Sequence, residues 1–500
     1  MADRPNMLMF FVDQQRADTL GPYGHTQCRT PALDGLAGDG LTFTNTYSCC
    51  GLCSPARSSV MTGLYPHNHG VLTNVHDGQS RRTLDPAFPT FARLLADAGY
   101  HTSYVGKVHL RWPWRDDVPI PYGFAEHHRP YQQYLKERGL ERGQVVGPMY
   151  EPERNHWPHP FAATWSGPFE SHQEYWRAEE GIRMLEERAA DYKANGTPFF
   201  LRIDFPGPHL PFIIPEPFAS MYDPAEVAER PDFVDTFEGK PRMHAQMPRF
   251  WGTEDTDWSF WRPIVAMYWG FVTMLDTLIG RVLERLRDLG LADETAVVYS
   301  ADHGDTCGSR RMFDKGYTMY EELYHIPLIV RWPGVWAAGQ QRHEFAHNMD
   351  LMPTFLDLAG IDPPPGLDAR SLKPVCEGHT PDDWPTEAYS QFHGMQWGLY
   401  SQRMVRTARH KLVFNMGDTT ELYDLEADPA ELVNRIEDPS LADVRRDLVL
   451  RLFRRMEATR DPFYTDLWWP KHEAARLGID FARDMHYADA KAREAGLRGR

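Results

Sequence analysis

The sequence predicts an α/β protein: a mostly parallel sheet covered by helices on both faces, followed by a smaller α+β unit. Two observations carry this expectation. Apolar, β-rich runs alternate with helical patterns through the first three quarters of the 500 residues, which is how successive βα units read. Polar residues also gather just past the ends of those runs, where open parallel sheets bind their ligands.

The expected strands are Met7–Val12, Thr102–Val105, Phe199–Phe205, Ala296–Ser300 and Pro327–Trp332. The expected helices are Pro89–Ala98, Glu174–Lys193, Pro263–Leu289 and Leu351–Ala359. A Pro-rich stretch, Asp362–Pro365, closes this part. After Tyr389 come short strands at Met404–Thr407, Lys411–Asn415 and Glu421–Tyr423, then a helix at Asp443–Glu457. The chain therefore divides into a main domain (1–388), a small α+β subdomain (389–460) and a charged tail (461–500). The tail carries Trp468-Trp469 and reads either as an arm docking on a neighbouring subunit of a homo-oligomer or as a segment folded on its own chain. Residues Arg111–Pro168 are rich in Trp, Tyr, Pro and His. They read as an insertion that forms a pocket wall or lid, or else a surface elaboration packed on its own aromatics.

Composition excludes several classes. A hydrophobic content of 42% supports a large core. The formal net charge of −17 argues against nucleic acid or an anionic membrane as the main partner. No run reads as a membrane span, and the apolar run at Met7 is too short for a signal-peptide core, so a cytoplasmic protein is expected. The six cysteines, Cys28, Cys49, Cys50, Cys53, Cys307 and Cys376, are no disulfide framework in so long a chain. The cluster at 49–53 lacks a second Cys or His pair at zinc spacing.

The chemistry concentrates in a few motifs. Cys53-Ser54-Pro55-Ala56-Arg57 is followed by Thr62-Gly63. Asp13-Gln14 closes the first strand and Asp302-His303-Gly304 a later one. Gly106-Lys107-Val108-His109, Pro208-His209-Leu210-Pro211 and Lys315 complete the set. Taken singly, an Asp at a strand end makes turns or caps, a Lys is solvated, and Cys53 is a buried thiol. Together they supply oxygen ligands for a hard cation, positive groups for an anion, and an acid for a leaving group.

In this order the motifs resemble the type I, formylglycine-dependent sulfatases of the alkaline-phosphatase superfamily, near the choline-sulfatase and phosphonate-monoester-hydrolase branch. The likeness runs from Asp13 to Glu421–Leu425 and Asp428-Pro429. It implies an alkaline-phosphatase-like fold and a sulfuric ester hydrolase, arylsulfatase-like in chemistry. A formylglycine-generating enzyme oxidises the signature Cys, here Cys53, and the hydrated aldehyde is a geminal diol. One oxygen attacks sulfur; loss of the other's proton re-forms the aldehyde and expels sulfate.

The resemblance further implies one divalent metal, Ca2+ or Mn2+, held by Asp13, Gln14, Asp302, His303 and the Cys53 position. Lys107 and Lys315 bind the sulfate. Arg57 and His109 hold the formylglycine. His209, with Lys315, serves the leaving oxygen, and Asn74 contacts the transferred group. The family usually has Asp-Asp where this chain has Asp13-Gln14, and often Asp-Asn where it has Asp302-His303; the imidazole tilts selectivity toward Mn2+.

The cations are expected to make a positive pocket for a small-molecule sulfate ester with a sugar, aryl or choline-like leaving group. That pocket is expected to be shaped by the aromatic insertion and by Phe392–Trp397. Two other readings stand beside this one: a phosphonate monoester or phosphodiester hydrolase with the same machinery, and a binding protein for sulfated ligands with unmodified Cys53.

Overall fold

The structure, a computed structural model, describes residues 4–78, 81–112, 122–154, 157–480 and 483–484. Its centre is an eight-stranded sheet. In chain order the strands are β1 (Asn6–Asp13), β2 (Leu41–Tyr47), β3 (His101–Gly106), β4 (Glu126–His127), β5 (Phe199–Pro208), β6 (Thr295–Ala301), β7 (Leu328–Arg331) and β8 (Gln340–His347). They lie in the order β8-β2-β7-β6-β1-β5-β3-β4. Only β7 runs antiparallel to its neighbours β2 and β6; the other pairings are parallel. The expected α/β class is therefore the observed one.

Strand β1 shows why the sequence folds this way. All eight of its residues are buried, as an apolar run must be when helices cover both faces of a sheet. Alternation sends Leu8, Phe10 and Val12 to one face, among Leu185 and Leu278 of the long helices Gln173–Asn195 and Trp258–Asp288. Met7, Met9 and Phe11 face the other way, among Val60, Phe91 and Phe355.

By length and composition the Trp258–Asp288 helix could cross a membrane, contrary to the expectation that no segment could. Most of its apolar window is buried inside the fold, so its apolar surface is used in packing. Strands β2 and β8 were not anticipated. Their sequences, LTFTNTY and QQRHEFAH, carry too many polar residues to read as buried strands, because β8 is an edge strand and β2 lies beside it.

A second, four-stranded antiparallel sheet follows: Glu387–Met395, Gly398–Thr407, His410–Asn415 and Glu421–Asp424. Helix Ala442–Ala458 packs on its two middle strands. The first of these strands crosses to the main sheet's side, where Gln391 N–H donates to Cys49 O at 2.9 Å. Within the insertion, Val145–Tyr150 and Ala162–Trp165 pair antiparallel, and the latter pairs with Phe212–Pro215. Parts of two expected segments lie outside the described residues: 113–121 and 155–156 of the insertion, and 481–482 and 485–500 of the tail.

Strands β6, β1, β5 and β3 are adjacent and parallel, so their carboxyl ends converge. Asp302, Asp13, His209 and Lys107 sit at or just past those ends. Gly106 makes the convergence tight: its φ is +104°, and a Cβ there would meet Asp204 O at 1.8 Å. Gly106→Ala is therefore expected to cost about 3 kcal/mol through overpacking and a left-handed backbone. Urea denaturation checks this, and an unchanged midpoint would contradict so close an approach.

Candidate active site

Cys53 is the first residue of helix Cys53–Thr62, whose ten residues are all buried. The motif spacing now has local reasons. Pro55 lies in the first turn, where its missing N–H leaves no bond unmade. Arg57 follows Cys53 by four residues, one turn on, and so shares its face. Gly63 closes the helix with φ 67°, a conformation natural to glycine. Leu52 offers no side-chain cap. Asn74 supplies one instead, its Oδ1 accepting from Ser54 N–H at 3.0 Å. That is where the structure places Asn74: at the start of the Cys53 helix.

Arg57 is fully buried and tied on every side. It donates to Asp302 Oδ2 at 2.8 Å, Asp204 Oδ2 at 2.8 Å, Asp13 Oδ2 at 2.9 Å and Lys107 O at 2.7 Å. Its contacts thus orient the carboxylates and the Lys107 loop. Asp204 was missed by sequence reasoning. It also accepts from Tyr104 OH at 2.9 Å and from Arg202 at 2.7 Å. The signal was Arg202 and Asp204 at alternate positions in an otherwise apolar strand.

Four ligand-type groups converge next to the helix. Oxygen, nitrogen and sulfur atoms of Asp13, Cys53, Asp302 and His303 lie within 4.8 Å of one another, all buried. Cys53 Sγ is 3.2 Å from His303 Nε2 and 3.7 Å from Asp13 Oδ1. His303 Nδ1 faces Gly304 O at 2.8 Å, so it carries the ring proton and leaves the Nε2 lone pair toward Cys53. Burial holds His303 below its ordinary pKa, keeping it neutral. Burial by itself would raise Asp13, but Lys107 and Arg57 outweigh it and hold its carboxyl well below the usual range. Burial, then Asp13, pushes the Cys53 thiol up to about 12 against the pull of Lys107 and Lys315. An unmodified Cys53 is therefore a thiol at neutral pH and a poor nucleophile.

The cations stand around this cluster. Lys107 Nζ is 2.5 Å from Asp13 Oδ2 and 3.8 Å from Cys53 Sγ. Lys315 Nζ contacts Gln14 Oε1 at 2.9 Å, Asp314 Oδ1 at 2.7 Å and His209 Nε2 at 3.1 Å. His209 Nδ1 bonds Leu210 O at 2.7 Å. Burial, then Lys315 and Lys107, push His209 well below its ordinary pKa, so the proton between the pair sits on Lys315. His109 Nε2 lies 3.1 Å from His76 Nδ1, and the two rings stack. His76 in turn sits 3.4 Å from Asp77; neither His76 nor Asp77 was foreseen. Each of these cations has carboxylates beside it: Lys107 has Asp13, Lys315 has Asp314 and Arg57 has three.

Lys107, His109 and His209 open onto a cavity of about 670 Å3. Trp112, Arg142, Val145, His159 and Trp165 of the insertion line it, opposite Phe271 and Glu174. The insertion is thus a pocket wall. The Phe392–Trp397 segment is not part of this cavity's lining; Trp397 stacks on Phe250 at 4.8 Å.

The family model described as Sulfatase matches residues 5–361. The chain belongs to the sulfatase family. A second model, described as N-sulphoglucosamine sulphohydrolase, C-terminal, matches residues 308–458 of this sulfatase. Among its relatives is an uncharacterized sulfatase of Escherichia coli K12, 30% identical over 93% of this chain and 90% of its own. A choline-sulfatase of Rhizobium meliloti is 27% identical over 87% and 83% of the two chains. Among solved structures, the phosphonate monoester hydrolase from Silicibacter pomeroyi superposes with a TM-score of 0.77 at 27% identity, covering 91% of this chain and 96% of its own. These likenesses seat the chain on the sulfatase and phosphonate-hydrolase branch of the alkaline-phosphatase superfamily. It is a sulfuric ester hydrolase.

Asp204→Asn should uncouple Arg57 and Arg202 from their shared carboxylate. Removing one partner of so buried a network is expected to cost about 3 kcal/mol or more, read from urea denaturation. A loss within error of zero would show that Asp13 and Asp302 suffice to hold Arg57.

Proposed function

We propose that this sulfatase hydrolyses sulfate monoesters through a formylglycine made from Cys53, assisted by one divalent cation. The observation that carries the reading is the position of Cys53 Sγ, buried at a helix N-terminus within 3.8 Å of His303, Asp13 and Lys107. An unmodified thiol with a pKa of about 12 has little nucleophilic power in that place, whereas an oxygen nucleophile suits it.

The donor set fits a divalent cation. Asp13 and Asp302 offer carboxylates and His303 a neutral imidazole, and Gln14 N–H donates to Asp302 Oδ1 at 3.0 Å. Mn2+ suits this mixture of oxygen and nitrogen better than Ca2+. When bound, the cation supplies polarisation of the sulfate oxygens, and the formylglycine hydrate supplies an attacking oxygen that releases sulfate by re-forming its aldehyde.

The chain's own residues do the rest. Lys107 and Lys315 face the equatorial oxygens of the sulfuryl group and offset its charge as transfer proceeds. The N-terminus of the Cys53 helix adds a favourable dipole. Lys315 carries the proton shared with His209, which serves the bridging oxygen as the bond to the leaving group breaks. Arg57 keeps Asp13 and Asp302 pointed at the cluster, and the 670 Å3 cavity takes the leaving group. His109 borders it beside Lys107.

A second reading, phosphonate monoester hydrolysis with the same groups, draws support from the Silicibacter pomeroyi structure and from the Asp13-Gln14 and Asp302-His303 pairs. Lys107 favours the sulfate ester, which has no second ester arm and so accepts more positive charge. Lys107→Ala is expected to lower kcat/KM more for an aryl sulfate than for an aryl phosphonate monoester; an equal loss removes that preference. Peptide mass spectrometry across Cys53 is expected to show a loss of about 18 Da. Cys53→Ala should fold as wild type and lose turnover. Near-wild-type rates in that variant would rule out the covalent route.

A further inference from the structure

Gln14 follows Asp13 at the end of β1 and is fully buried, with φ 66°. Its Nε2 donates to Asp305 Oδ2 at 2.6 Å and to Asp314 Oδ1 at 2.9 Å, while its Oε1 accepts from Lys315 Nζ at 2.9 Å. A primary amide has two hydrogens, and each carboxylate takes one. The reverse orientation would set the amide oxygen against two carboxylates and its NH2 against an ammonium, so charge alone fixes which way Gln14 points.

The two carboxylates are themselves held. Asp305 Oδ1 accepts from Cys307 N–H at 2.7 Å, and Asp314 pairs with Lys315 at 2.7 Å. Thr306 N–H and its hydroxyl both donate to Asp314 O, at 2.9 and 2.8 Å. These bonds close the loop from His303 to Lys315 and bring Asp305 and Asp314 side by side. Arg16 braces the same loop through Asp305 O and Thr306 O, both at 3.1 Å.

We infer that Asp305 and Asp314 form a clamp that admits only a neutral, hydrogen-donating side chain at position 14, and so limits the metal site to two carboxylates. A carboxylate at 14 would bring a third acid against Asp305 and Asp314, where burial and Asp314 already push Asp305 up to about 7, in a place where like charges repel strongly. The consequence is cation choice. Ca2+ affinity grows with the number of carboxylate ligands, whereas the neutral Gln14 and His303 beside Asp13 and Asp302 favour an ion that accepts nitrogen, such as Mn2+. The clamp also fixes Lys315 before His209, since Gln14 and Asp314 share its ammonium. The cation-choice part rests on the metal reading above; the clamp does not.

The test is a thermodynamic cycle on metal-free protein, followed by cation titration. Gln14→Glu, which keeps shape and adds charge, should lower the Tm. Gln14→Glu with Asp305→Asn, which returns a donor to the pair, should regain most of the loss, a coupling expected only of groups in direct contact. In calorimetric titrations wild type should bind Mn2+ more tightly than Ca2+. In the double variant, which has a third ligand carboxylate, that preference should shrink by roughly tenfold. A Gln14→Glu protein as stable as wild type, or no recovery with Asp305→Asn, overturns the clamp. A double variant with the wild-type preference overturns its role in cation choice. Wild type binding neither cation overturns the metal reading, and with it that role, while the Tm cycle still decides the clamp.

Discussion

Everything near Cys53 hangs on Arg57. Three parallel strands, β6, β1 and β5, deliver Asp302, Asp13 and Asp204 to the same end of the sheet, and one guanidinium reaches all three. Three carboxylates so close would repel one another without it, and a lone buried guanidinium would be as costly. Arg57 belongs to the helix that begins with Cys53, so the ion cluster fixes that helix to the sheet in one register. Planar, multidentate bonding is what Arg offers and Lys does not. The residual negative charge is taken up by Lys107 and Arg202 at the edges.

Much of this was legible in the sequence, and the limits have physical reasons. Strand β1 was readable because a run buried on both faces must be apolar throughout. Cys53, Arg57, Lys107, His209, Asp302 and Lys315 were singled out because their motifs, in this order, resemble those of the sulfatases, and the structure brings them to one end of the sheet. Asp204, Asp305 and Asp314 were not, since their roles come from partners far along the chain, and an Asp shows nothing of its partner. Gln14 was read as a neutral ligand; that its orientation is set by two carboxylates needed the closed 303–315 loop. That the Asn74 oxygen caps the Cys53 helix was also not legible, because its partner Ser54 lies 20 residues away. That each cation of the cluster stands beside a carboxylate was likewise not legible, because the partners are far apart in the chain.

The insertion is tied into the strands around the candidate site. Its strand Ala162–Trp165 pairs with Phe212–Pro215, which begins three residues after His209. The cavity wall is therefore hydrogen-bonded to the strand that follows His209. Trp112 packs on His76, which lies 3.1 Å from His109, so the wall is also in contact with the histidines beside Lys107.

The seam between the two sheets bears on how such a chain can be recombined. The two family models overlap over residues 308–361, a stretch that includes Lys315. Gln391 of the small sheet bonds the main chain at Cys49, and Ser390 bonds Ser48 O at 2.7 Å, four and five residues ahead of Cys53. A cut between the sheets would strip hydrogen bonds from the loop that launches the Cys53 helix. The smaller sheet thus behaves as part of the active-site foundation, and a chimaera exchanging it between relatives would have to carry both sides of the 48–50 and 390–391 seam together.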